Sequence, residues 1–157
     1  MQLQYNINGL EVEAAIEYIN NRLNIQNISS ALVLGTGLGN SIESFTIEDE
    51  IPYSDIPFAP ISTVQSHTGK LILASVGPTK VVVLSGRMHM YEGYTASQST
   101  FMIHVLAGLQ IKEVFITNAV GGVNPHYAEG EIVLIEDHIN FFPDHPLRGL
   151  NDESRGP

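Results

Sequence analysis

Three apolar runs, each followed at once by a loop of glycines or hydrogen-bond donors, restrict what this chain can fold into more than any other feature. Ala31-Leu32-Val33-Leu34 leads into Gly35-Thr36-Gly37-Leu38-Gly39, and Val81-Val82-Val83-Leu84 into Ser85-Gly86-Arg87-Met88-His89-Met90-Tyr91. Glu113-Val114-Phe115-Ile116-Thr117 leads into Asn118-Ala119-Val120-Gly121-Gly122. Short apolar runs rich in β-branched residues and bounded by such loops read as strands. In an open α/β sheet, ligands bind outside the carboxyl ends of the strands, so the three loops are expected to meet at one rim.

The intervening stretches supply the remaining elements. Leu10, Val12, Ala14, Ala15, Ile16, Ile19 and Leu23 recur at helical spacing. Asn8 or Gly9 is placed to cap that helix, and Glu11 and Glu13 suit its first turns. Residues 41–60, where Glu43, Glu48, Asp49, Glu50 and Asp55 alternate with Ile and Pro, read as a solvated loop with an edge strand. Residues 71–76 and 80–84 form a hairpin across Gly77-Pro78. A helix is expected from about Ala96 to Leu109, with Phe101, Val105, Leu106 and Leu109 on one face. Residues 113–117 read as a central strand, and a last strand, Glu131-Ile132-Val133-Leu134-Ile135, runs into Glu136-Asp137-His138.

Chemistry concentrates after the second run. Continued in strand register, Arg87, His89 and Tyr91 line one wall. A guanidinium grips an oxyanion with two parallel hydrogen bonds, an imidazole adds a donor, and a phenol donates to or stacks beside a neutral group. That combination suits a phosphate beside a sugar. Closely spaced glycines at 35, 37 and 39 let backbone amides approach a phosphate, with the Thr36 hydroxyl among them, although the same glycines also make an ordinary tight turn. His67, just ahead of the hairpin, reads equally well as a surface loop residue. Asp137 and His138 resemble a metal pair only superficially, because adjacent strand residues point to opposite faces; no metal is expected.

Bulk properties set the partners. A formal charge of −10 and seven basic residues in 157 argue against nucleic acid, whose binding rests on Lys and Arg neutralising phosphates. Any anion site must be local, which singles out Arg87. Cysteine is absent, excluding disulfides and thiolate chemistry. No apolar run follows a basic start, and none approaches the ~20 residues of a membrane helix, so a soluble cytoplasmic protein without membrane partners is expected.

The motifs Gly35-Thr36-Gly37-Leu38-Gly39, His67-Thr68-Gly69, Gly86-Arg87-Met88-His89-Met90-Tyr91-Glu92-Gly93-Tyr94, Thr117-Asn118-Ala119-Val120-Gly121-Gly122 and Asp137-His138-Ile139-Asn140 resemble, in this order, those of trimeric, 6-oxopurine-specific purine nucleoside phosphorylases. The closing Pro146-Leu147-Arg148-Gly149-Leu150-Asn151-Asp152-Glu153 fits as well. The resemblance implies an α/β fold with a mixed central β-sheet flanked by helices and incomplete at the C-terminal side. Residues 1–157 would be the N-terminal part of a single phosphorylase domain.

The implied reaction is phosphorolysis of purine (deoxy)ribonucleosides to free base and pentose 1-phosphate. It needs no cofactor, since inorganic phosphate is a co-substrate, and the full-length protein would be a homotrimer. Carried over by motif, Thr36, Arg87, His89 and the amide of Ala119 bind phosphate, and His67 closes over it. Tyr91 contacts the ribose; Glu92 orients the histidine and arginine network, so that His89 and Glu92 are the expected catalytic pair. The family commonly has serine at Thr36, where threonine keeps the hydroxyl, and alanine at Val120, where valine would slightly reshape the ribose pocket.

The family's purine-binding Glu and Asn, a further phosphate-binding serine and a ribose-binding histidine lie in a C-terminal half. The 157 residues alone are therefore expected to be inactive or nearly so and to self-associate through uncovered apolar surface. Two other readings compete: a truncated, non-enzymatic phosphate-binding or interaction module, and a methylthioadenosine phosphorylase. The stretch His89-Met90-Tyr91-Glu92-Gly93-Tyr94 disfavours the latter.

Overall fold

A computed structural model describes residues 7–35, 37–61 and 69–148. Thr36 and His67 lie outside the described residues. The first helix, α1 (Gly9–Arg22), starts where the Asn8 side chain accepts the Leu10 N–H at 3.1 Å, one of the donors that a helix start leaves unpaired. Its Val12, Ala15 and Ile19 are buried.

Five strands follow in one sheet: β1 (Ser30–Leu34), β2 (Thr46–Pro52), β3 (Lys70–Val76), β4 (Thr79–Ser85) and β5 (Glu113–Ile116), in spatial order β2-β3-β4-β1-β5. The sheet is mixed. β3 and β4 form the expected hairpin, in which Gly77 at φ +57° supplies the left-handed turn that Pro78 follows. β2 runs antiparallel to β3, whereas β1 is parallel to both β4 and β5.

Alternation along the strands divides the core in two. Ala31, Val33, Leu71, Leu73, Val82 and Leu84 turn to the face covered by α1 and by α3 (Phe101–Gly108), where Ile19, Val105 and Leu106 are fully buried. Leu34, Ile72, Ala74 and Val83 form a smaller cluster on the other face, against Ile42 and Phe45 at the 3-10 turn Gly39–Ser44. Period-2 side-chain direction alone accounts for this division.

β2 is the expected acidic edge strand. Glu50 pairs with Lys70 at 2.6 Å and Glu48 with Lys80, and the register shifts between Ile47 and Asp49. Exposed pairs of this kind contribute roughly 0–1 kcal/mol each. Their charge, together with the irregular register, discourages another strand from adding to this edge.

Three expectations need correction. The helix expected from about Ala96 to Leu109 is two helices, α2 (Ala96–Ser99) and α3, because Thr100 leaves helical geometry at ψ 2°. Its hydroxyl donates to the Ser97 and Ala96 carbonyls at 3.0 and 3.3 Å, competing with the backbone ladder. β5, expected as a central strand, stands at the sheet's end: among the described residues it pairs with β1 alone, and Phe115 and Ile116 are each 60% exposed. Residues 131–135 form no strand. Ile132 is wholly exposed, and an apolar run without a neighbouring ladder leaves backbone groups to water rather than to a sheet.

The outer edge of β5 and the apolar residues beyond it predict concentration-dependent association of the 157-residue chain. Sedimentation velocity should show mass rising with concentration, and Phe115→Lys should lower that rise. A monodisperse monomer throughout would contradict it.

Candidate active site

Parallel pairing of β1 with both neighbours brings three strand ends to one rim. Leu34 lies opposite Ser85 of β4, and Val33 opposite Ile116 of β5. The chain therefore leaves the sheet side by side at Gly35, Gly86 and Thr117, the convergence that the loops imply from sequence.

The first and third loops are tied together by Thr117. Its hydroxyl donates to the Val33 carbonyl at 3.1 Å and accepts the Gly35 N–H at 3.0 Å, joining segments 82 residues apart. A Cβ at Gly35 would overlap the Thr117 carbonyl oxygen and stand 2.9 Å from Asn118 Cα. Glycine is required here for close approach. Gly37, two residues on, has φ +83°. Ala119 is exposed two residues after Thr117, and its amide has no partner among the described residues, so it is available to an anion.

The second loop leaves β4 through Gly86, whose φ of +99° turns the chain. Strand-like alternation persists for three residues: Met88 is buried at 8% exposure, while Arg87 and His89 on either side are only half-buried. Met88 is thus a peg in the core that fixes its two polar neighbours at the rim. Among the described residues, Arg87 makes no ion pair.

Beyond His89 the strand reading fails. Met90–Glu92 is a 3-10 turn closed by Gly93 at φ +95°, which folds Tyr91 back so that its ring stacks on His89, centroids 4.8 Å apart at 19°. Tyr91 remains 77% exposed. The Glu92 carboxylate, 2% exposed, accepts the His89 backbone N–H at 3.1 Å and faces His89 Nδ1 at 3.2 Å. A proton on Nδ1 directed at Glu92 leaves Nε2 for a ligand. Arg87 and His89 thus lie on the same side of the loop, with the buried Glu92 carboxylate behind His89 and the Tyr91 ring stacked on it.

One support has no sequence motif to reveal it. Tyr53 is buried under the second loop, its hydroxyl donating to the Gly86 carbonyl at 3.3 Å, and burial pushes its phenol pKa well above the ordinary range. Tyr94, at the loop's other end, donates to the Ile61 carbonyl. Asp137 and His138 are exposed, and the Asp137 carboxylate accepts the His138 backbone N–H at 2.8 Å. Among the described residues, no cluster of three His, Asp or Glu side chains could hold a metal ion, and no helix is long and apolar enough to cross a membrane.

This rim has close relatives. A sequence profile of the phosphorylase superfamily matches residues 31–157, and the chain belongs to that family. It is 42% identical over 125 residues to purine nucleoside phosphorylase 1 of Geobacillus stearothermophilus, covering 80% of this chain and 46% of that protein. It is 37% identical over 145 residues to purine nucleoside phosphorylase 1 of Bacillus subtilis (strain 168), covering 92% of this chain and 53% of that one. The crystal structure of isoform 2 of purine nucleoside phosphorylase from Schistosoma mansoni, in complex with cytosine and ribose-1-phosphate, superposes with a TM-score of 0.82 at 39% identity. It covers 96% of this chain and 53% of its own. The chain spans about half the length of the curated relatives it matches.

The joint between the first and third loops is open to direct test. Thr117→Val keeps the shape but leaves the Gly35 N–H without its acceptor, an expected loss of about 1–3 kcal/mol in urea unfolding. Gly35→Ala should cost more, because backbone must move. Unchanged midpoints for both would show that the two loops are not joined in solution.

Proposed function

We propose that this chain supplies the phosphate and ribose side of a purine nucleoside phosphorylase. The observation that carries the proposal is Arg87 followed two residues on by His89 held against the buried Glu92, set at the same rim as two loops of glycine and backbone amide. It lies in a chain whose relatives bear the name purine nucleoside phosphorylase. Arg87, His89 and the Ala119 amide hold the phosphate, Tyr91 stacked on His89 meets the ribose, and Glu92 keeps the imidazole oriented. Thr36 and His67 join the phosphate ligands on the strength of the resemblance alone.

The mechanism follows from charge. As the glycosidic bond stretches, the pentose becomes cation-like while the base gains negative charge. A phosphate dianion pressed against the sugar stabilises the first, and donors on the purine must stabilise the second. Inorganic phosphate is the co-substrate, and the reaction needs no cofactor or metal. The whole protein works as a cytoplasmic homotrimer on purine nucleosides; the 157 residues alone bind phosphate without appreciable turnover.

Inorganic phosphate titrated into this chain should bind saturably by calorimetry. Arg87→Ala should weaken it about 10- to 100-fold, the worth of a charge-assisted hydrogen bond. In the whole protein, hypoxanthine release from inosine should require phosphate. Release without phosphate, or none with it, would overturn the assignment.

A further inference from the structure

We propose that Tyr53 is a positioning residue for the second loop: its hydroxyl holds the Gly86 carbonyl and so fixes the peptide plane from which Arg87 projects. The proposal rests on the reading of Arg87 as an anion ligand. Tyr53 opens the 3-10 turn Tyr53–Asp55 directly after β2, at the far side of the sheet from β1, yet it is only 2% exposed. Its backbone N–H donates to the Gly69 carbonyl at 2.9 Å. A Cβ at Gly69 would run into the ring, so the aromatic group sits in a slot that glycine keeps open.

Packing alone does not explain a tyrosine here. Phenylalanine would fill the same slot, and a hydroxyl taken out of water costs free energy unless it is bonded. The bond it makes, 3.3 Å to Gly86 O, reaches 33 residues along the chain to a single carbonyl. Gly86, at φ +99°, has the widest backbone freedom of any residue type, and the direction of the loop depends on how that freedom is restrained. The Gly86 carbonyl and the Arg87 N–H belong to one rigid peptide plane, so holding the oxygen holds the plane. Below that plane Met88 is pegged in the core, and beyond it His89 is held by Glu92. Without the hydroxyl, Arg87 stands between a fixed strand and a fixed peg on a glycine hinge. Burial raises the phenol pKa, which keeps the group a donor wherever the protein is folded.

The experiment compares wild type with Tyr53→Phe by amide hydrogen exchange and by phosphate titration. At 3.3 Å the bond is longer than the usual 2.7–2.8 Å, so a modest effect is expected. Exchange of the His89 amide should rise about three- to tenfold, with β1 and α3 unchanged, and phosphate should bind about three- to tenfold more weakly. Exchange raised uniformly, unchanged exchange at His89, or global loss of structure would each overturn the positioning role. If the wild-type chain binds no phosphate, the anion reading of Arg87 fails, and the exchange comparison still decides the role of Tyr53.

Discussion

The parallel pairing of β1 with β4 on one side and β5 on the other is the constraint on which the rest depends. Were either neighbour antiparallel, its carboxyl end would fall at the opposite rim, and one of the three loops would be lost to the site. The antiparallel portion, β2 and β3, serves a different purpose. It extends the sheet over the core under α1 and α3 and delivers Tyr53 beneath the second loop. Parallel pairing thus collects the loops, and the antiparallel portion supports one of them.

Charge at the rim is managed by arrangement rather than by number. In a protein of formal charge −10, long-range attraction for an anion is poor, and recognition must come from short, directed donors. The buried Glu92 carboxylate would oppose a phosphate if it faced outward. Instead it turns inward and is occupied by the His89 backbone N–H and Nδ1. One carboxylate therefore sets a histidine's orientation and hides its own charge from solvent.

Much of the fold and part of the site were legible in the sequence. The Asn8 cap, the β3–β4 hairpin and the three strand-to-loop transitions rest on local rules that tertiary structure did not override. Residues 113–116, in their place in the sheet, and 131–135, in forming a strand at all, misled because an apolar run reports the burial a segment is suited to, whereas strand pairing depends on which neighbours are present. Thr100 misled because its hydroxyl competes for helix carbonyls. In the site, alternation correctly set Arg87 and His89 apart from Met88. The turn that stacks Tyr91 on His89 depends on Gly93 and on Glu92 reaching back, a geometry no period-2 reading contains. Tyr53 was illegible for a simpler reason: it lies among acids in a stretch that reads as solvated, and its partner is distant in sequence.

The Gly35–Thr117 joint also has a consequence for how the chain comes together. Its partners are 82 residues apart, whereas the β3–β4 hairpin closes across a two-residue turn. Loop-closure entropy favours the hairpin as an early element, with β1 waiting for β4 and the joint waiting for β5. The rim that defines the site is thus among the last parts of the sheet to form. During synthesis β1 leaves the ribosome long before either of its partners, and its apolar edges stay open to other chains until β4 and then β5 arrive.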